Sequence, residues 1–125
     1  MSKSILVVDD DQSLRELLRL HLSNAGYDVT TASDGIEAGY AVLRGRPDLI
    51  LTDVNMPHMN GYEFVEALKS DTALASIPVI FLTSMDEFDR GKRLGAVGYL
   101  NKPIRSDKLL EVVAEHLPGG SYPIG

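Results

Sequence analysis

The stretch Ile5-Leu6-Val7-Val8-Asp9-Asp10-Asp11 runs four apolar residues straight into three acids. With Ser4 it forms a short apolar run with no polar alternation, the pattern of a strand buried on both faces. Two later stretches repeat the device. Leu49-Ile50-Leu51-Thr52 leads into Asp53, and Tyr99-Leu100-Asn101 leads into Lys102. In an open parallel sheet the carboxyl ends of the strands share one edge, and ligands bind there. The three stretches are therefore expected to converge on one pocket holding several carboxylates and one ammonium.

The segments between these runs read as helices. Leu14, Leu17, Leu18, Leu20, Leu22 and Ala25 fall close to i, i+3, i+4 spacing, which predicts an amphipathic helix over 12–25 with Gly26 just past its end. Asp28–Ala32 reads as a second strand. Asp34 is placed to cap a second helix, with Glu37 three residues on to reach back. Ile36, Ala38, Ala41, Val42 and Leu43 are its expected buried side, and Gly45 and Pro47 stop it. Beyond the third strand, Pro57, Asn60 and Gly61 mark a loop before a helix over 62–69. Val79–Thr83 reads as a fourth strand, residues 87–94 as a short acidic helix and residues 97–101 as a fifth strand. Ser106 is expected to cap a last helix over 107–117, with Leu109, Leu110, Val112, Val113 and Leu117 inward. Five strands alternating with helices predict an α/β fold with a parallel sheet covered on both faces. Residues 1–117 are expected to form one domain, and 118–125, rich in Gly and Pro, a flexible tail or linker start.

Bulk properties narrow the function. The chain has 125 residues, 44% of them apolar, the size and composition of a single globular domain. It has no cysteine, which excludes a disulfide framework, a thiolate metal site and a cysteine nucleophile. Its net charge of −6 opposes direct nucleic-acid binding, and the only local basic group is Arg90, Lys92 and Arg93. No stretch reads as a signal peptide or a membrane span, so the expectation is a cytoplasmic protein.

The acids carry the chemistry. Two carboxylates about 5 Å apart repel by roughly 3 kcal/mol at an effective dielectric near 20, so Asp9, Asp10 and Asp53 at neighbouring strand ends call for a cation. Carboxylates, a backbone carbonyl and waters suit Mg2+. The simpler reading of Asp9, Asp10 and Asp11, that they open a helix where its dipole favours acids, does not account for Asp53 and Lys102 at matching strand ends. A carboxylate beside a divalent ion can act as nucleophile toward phosphorus. Lys102 precedes Pro103, and a cis Lys-Pro bond is accessible there. Thr83, ending a strand, could reach a phosphoryl oxygen, and Tyr99 is either strand packing or an aromatic that changes rotamer.

Four stretches in order carry a resemblance: residues 5–11, residues 53–63 (Asp53-Val54-Asn55-Met56-Pro57-His58-Met59-Asn60-Gly61-Tyr62-Glu63), Leu82-Thr83-Ser84, and Gly98-Tyr99-Leu100-Asn101-Lys102-Pro103. Together they resemble the receiver (CheY-like) domain of two-component response regulators. The resemblance implies a doubly wound, flavodoxin-like five-stranded sheet ordered 2-1-3-4-5. It implies Asp53 as phosphoacceptor, and Mg2+ held by Asp9, Asp10, Asp53 and the Asn55 backbone carbonyl. Thr83 and Lys102 would bind the phosphoryl group, and Thr83 and Tyr99 would switch. The implied donor is a sensor histidine kinase or a histidine phosphotransfer protein, and the output a protein effector, with no direct nucleic-acid or membrane role. Such a domain is a signalling phosphoacceptor, not an enzyme beyond catalysing its own phosphorylation and dephosphorylation.

Three features depart from or vary within that pattern. Ser84 stands where alanine is commonest. Asn55 and Met85 occupy variable positions that tune phosphate lifetime in the family. The segment between Thr83 and Lys102 is short, which implies a shortened fourth helix, weakened further by Gly91. Two other functions fit parts of the pattern. A small haloacid-dehalogenase-like phosphatase would use Asp9 and Asp11 as Asp-x-Asp, with Asp9 as nucleophile. A receiver-like module that is not phosphorylated would serve only for interaction.

Overall fold

The protein is described by a computed structural model over residues 3–54, 60–83 and 95–117. The helix expected over 87–94, the basic group at 90–93, Asn55, Ser84, Met85 and the tail at 118–125 lie outside the described residues.

Nine elements follow in order: β1 (Ser4–Val8), α1 (Gln12–Asn24), β2 (Asp28–Ala32), α2 (Gly35–Arg44), β3 (Leu49–Asp53), α3 (Gly61–Lys69), β4 (Val79–Thr83), β5 (Gly98–Asn101) and α4 (Ser106–His116), counted among the described residues. All strand pairs are parallel, and the order is β2-β1-β3-β4-β5. The order reverses direction between β1 and β3, which leaves a crevice at the carboxyl edge of those two strands. Register places Val8 beside Thr52, Thr52 beside Phe81, and Thr83 beside Asn101, so the strand ends that carry the acids and the lysine are aligned.

The sheet separates two apolar layers. On one face α2 and α3 pack Ala38, Val42, Phe64, Val65 and Leu68 against Leu6, Val8, Ile50 and Phe81. On the other, α1 and α4 pack Leu18, Leu22, Leu109 and Val113 against Ile5, Val7, Leu51 and Leu82. Burying each such side chain contributes about 1.5–3 kcal/mol, which is why uninterrupted apolar strands demand cover on both sides.

Local rules account for most element ends. Gly26 follows α1 with φ 98°, a left-handed conformation that favours glycine. Asp34 caps α2 by accepting the Glu37 N–H at 2.8 Å. Glu37 reaches back one residue further than expected, accepting from the Ser33 N–H at 2.9 Å. Three expectations are corrected. Ser106 does not cap the last helix: Arg105 is the N-cap position and makes no side-chain cap bond. Asp107 instead accepts the Lys108 N–H at 2.9 Å and pairs with Arg105. Ile36 and Leu43 are not on the buried side of α2; Leu43 is 75% exposed, because the tighter α2–sheet contact is made by Ala38, Ala41 and Val42. Leu17 and Leu20 are likewise exposed on α1, whose buried stripe narrows to Leu18 and Leu22.

Candidate functional site

β1, β3 and β5 deliver their charged ends to one place. Asp9, immediately after β1, is fully buried, and Asp53, the last residue of β3, is 6% exposed, while Asp10 is exposed. One carboxylate oxygen from each of Asp9, Asp10 and Asp53 lies within 4.8 Å of the others. Lys102 Nζ enters the same pocket, 3.0 Å from Asp9 Oδ2 and 3.3 Å from Asp53 Oδ1. Its backbone N–H donates to the Thr83 carbonyl at 2.7 Å, which ties the end of β5 to the end of β4. The Lys102–Pro103 peptide bond is cis.

The electrostatics follow from burial with incomplete compensation. Burial, followed by the negative charge of Asp9, pushes the Asp53 carboxyl up from 3.8 to about 6, although Lys102 and the Val54 N–H pull it down. For Lys102, burial alone would lower the ammonium, but contact with Asp9 and the charges of Asp53 and Asp9 outweigh it and hold the group above its ordinary value. Asp9 Oδ1 accepts the Asp11 N–H at 2.9 Å. Asp9 Oδ2 is buried, and apart from its ion pair with the Lys102 ammonium at 3.0 Å it has no hydrogen-bond partner among the described residues. A buried acceptor with unused capacity, three convergent carboxylates and a buried Asp53 whose ionisation is disfavoured make a donor set that fits a hard divalent cation such as Mg2+.

The backbone around Asp53 is also held. Asp53 Oδ1 accepts the N–H of Val54 at 2.8 Å. The buried Thr52 hydroxyl donates to the Asp53 carbonyl at 3.0 Å. Against that same carbonyl sits Gly61, where an added Cβ would come within 2.2 Å of the oxygen, so only glycine allows α3 to start this close to β3. Gly61 N–H donates to the Val54 carbonyl at 2.9 Å. Asn60 and Glu63 form a reciprocal capping box that fixes this start. Asn60-Gly61 alone reads as a turn, and the Asn60-x-x-Glu63 spacing is the signal in the sequence for the helix start. Thr52, hidden in an apolar run, gave no such signal.

Most expected site residues are brought together. Asp9, Asp10, Asp53 and Lys102 share the pocket, and Thr83 stands at the adjoining strand end, nearly buried. Tyr99 lies half-buried with its ring stacked on Phe81 at 6.3 Å, and Phe81 in turn meets Tyr62 edge-on at 5.2 Å. Asp11 is not in the pocket: it is the N-cap of α1, accepting the Leu14 N–H at 3.2 Å. That removes the second acid of the Asp-x-Asp arrangement a haloacid-dehalogenase-like site requires.

Comparison with known proteins agrees with this geometry. Residues 5–114 match the family model of the response regulator receiver domain. The chain is 44% identical over 106 residues to the alkaline phosphatase synthesis transcriptional regulatory protein PhoP of Bacillus subtilis, covering 82% of this chain but only 43% of that protein. It is 35% identical over 117 residues to protein PilG of Pseudomonas aeruginosa, covering 91% of this chain and 87% of that protein. The chemotaxis protein CheY4 of Vibrio cholerae superposes with a TM-score of 0.87 at 37% identity, covering 92% and 98% of the two chains. The family model covers most of the chain and the fold superposes on a solved relative of clear sequence similarity, so the chain belongs to the receiver domain family of two-component response regulators.

Proposed function

We propose that Asp53 is the phosphoacceptor of a magnesium-dependent signalling switch. The observation that carries this reading is the position of one ammonium, Lys102 Nζ, between the carboxylates of Asp53 and Asp9 at 3.3 and 3.0 Å. An Asp53 carboxylate oxygen attacks phosphorus, and the bond to the donor's imidazole nitrogen breaks. Lys102 stabilises charge on the phosphoryl oxygens, and the Thr83 hydroxyl binds one of them. Asp9, Asp10, Asp53 and the Asn55 carbonyl are the groups that would hold Mg2+. The ion, when bound, would neutralise charge on the transferring group. Membership of the response regulator receiver family makes the expected donor a phosphohistidine on a sensor kinase or phosphotransfer protein.

Phosphorylation adds charge and three acceptor oxygens where Thr83 and Lys102 can reach them. The conformation in which both residues engage the phosphoryl group is favoured by the difference in its interaction energy between the two states. Tyr99, stacked on Phe81 two residues before Thr83 in β4, would report a shift of Thr83 to a protein effector. The test is incubation with Mg2+ and acetyl phosphate. An acid-stable, alkali-labile adduct is expected in the wild type and absent in Asp53→Asn; an adduct retained by the variant would refute the assignment.

A further inference from the structure

Arg15 stands one turn into α1, half-buried, and spends its guanidinium in an unexpected place. Nη1 donates to the main-chain carbonyl of Asp9 at 2.6 Å. Among the described residues it makes no ion pair, although Asp11 and Glu16 are its near neighbours in sequence; Glu16 pairs with Arg19 instead. A helix-surface arginine that served only solubility would pair with such acids or remain solvated. This one reaches back six residues to a backbone oxygen beside the acidic pocket.

The consequence lies in the turn between β1 and α1. The Asp9–Asp10 peptide is held at its carbonyl by Arg15. The Asp10–Asp11 peptide is held at its N–H, which donates to Asp9 Oδ1 at 2.9 Å. Because peptide groups are planar, restraining these two peptides restrains both backbone dihedrals of Asp10 between them. Arg15 is anchored to the same turn through its own N–H, which donates to the Asp11 carbonyl at 2.9 Å. Asp10 is the exposed member of the carboxylate cluster, with no core packing to orient it. Its orientation depends on this closed turn.

We propose that Arg15 is a positioning residue for the cation site: by clasping the Asp9 carbonyl it fixes the turn that presents the Asp9 and Asp10 carboxylates. The proposal rests on the reading of that pocket as a Mg2+ site. It has a sign that a charge effect lacks. Through space, a guanidinium near the pocket repels a divalent cation, so deleting it would tighten binding. Through the turn, deleting it frees Asp10 and weakens binding, by about tenfold on the usual scale for groups that orient metal ligands.

The experiment is calorimetric titration of the full chain with Mg2+ for the wild type, Arg15→Ala, Arg15→Lys and Asp10→Asn, with amide hydrogen exchange at Asp11 measured alongside. Arg15→Ala is expected to bind Mg2+ about tenfold more weakly and to exchange the Asp11 amide several-fold faster. Arg15→Lys, which keeps one donor and the charge, is expected to recover part of both. Urea unfolding shows whether each variant is folded under the titration conditions, and Arg15→Lys carries the test if the alanine variant is not. Unchanged or tighter Mg2+ binding by a folded Arg15→Ala, or an unchanged Asp11 amide, overturns the clasp. A wild type that takes up no Mg2+, or an Asp10→Asn that binds as well as wild type, overturns the reading of the pocket itself and the proposal with it. Faster Asp11 exchange in Arg15→Ala would then show that the turn is tied but serves no cation.

Discussion

Replacing Asp53 by Asn should stabilise the cation-free protein at neutral pH, although it removes the proposed phosphoacceptor. Folding takes the carboxyl from 3.8 to about 6, chiefly through burial and the neighbouring charge of Asp9. At about 1.36 kcal/mol per pH unit, the ionised side chain costs the native state about 3 kcal/mol. The attraction of Lys102 is already contained in that value. The direction with pH follows from proton counts. Between the two values the native state binds more protons than the unfolded chain, so the penalty is absent below about pH 4, grows as pH rises and is complete above about pH 6. Asn keeps an oxygen to accept the Val54 N–H while carrying no charge. In urea unfolding monitored by circular dichroism with EDTA present, the variant should exceed wild type by about 2–3 kcal/mol at pH 7.5 and converge with it near pH 4. For a chain of this size the gap at neutral pH corresponds to a rise in Tm on the order of 10 °C. A variant no more stable than wild type at pH 7.5, or a gap that does not change with pH, would refute the electrostatic reasoning.

Three further outcomes follow from the same geometry. Mg2+ at ten times its dissociation constant should stabilise the wild type by about 1.4 kcal/mol, and Asp10→Asn should lose most of that gain in the same unfolding assay. Lys102→Ala leaves Asp9 and Asp53 facing each other without the ammonium, and should destabilise the cation-free fold by about 3 kcal/mol at pH 7.5 while saturating Mg2+ restores part of the loss. Gly61→Ala puts a methyl group against the Asp53 carbonyl, and should cost about 1–3 kcal/mol in thermal unfolding and slow phosphorylation by acetyl phosphate. A Gly61→Ala protein as stable and as reactive as wild type would mean that α3 can retreat from β3 freely.

The sheet was legible because β1, β3 and β4 are compact apolar runs with no competing helical period, and all five strands were read to within one residue at each end. The acids and Lys102 were legible for the same reason, since each directly follows such a run. Helix faces were harder. Leu17, Leu20, Ile36 and Leu43 have the polarity of core residues, but the helices lie close to the sheet along narrow stripes, and contact distance decides burial more than side-chain type does. Groups that act through the backbone were invisible. Thr52 looks like one more strand residue, and Arg15 like one more charge on a polar helix face, because a bond to a backbone carbonyl, six residues back for Arg15 and one residue on for Thr52, is set by local geometry rather than by residue pattern. Gly61 is a middle case: its close approach to Asp53 is tertiary, while the Asn60–Glu63 box that places it was written in the sequence.

Asp53 is proposed to accept the phosphoryl group in a pocket completed by a divalent cation. Peptide mapping by mass spectrometry after treatment with acetyl phosphate, with and without Mg2+, tests it most directly. A single phosphoryl group on the peptide containing Asp53, formed only with Mg2+, is the predicted result. Label on the peptide containing Asp9, or labelling of Asp53 that proceeds equally well in EDTA, would contradict it.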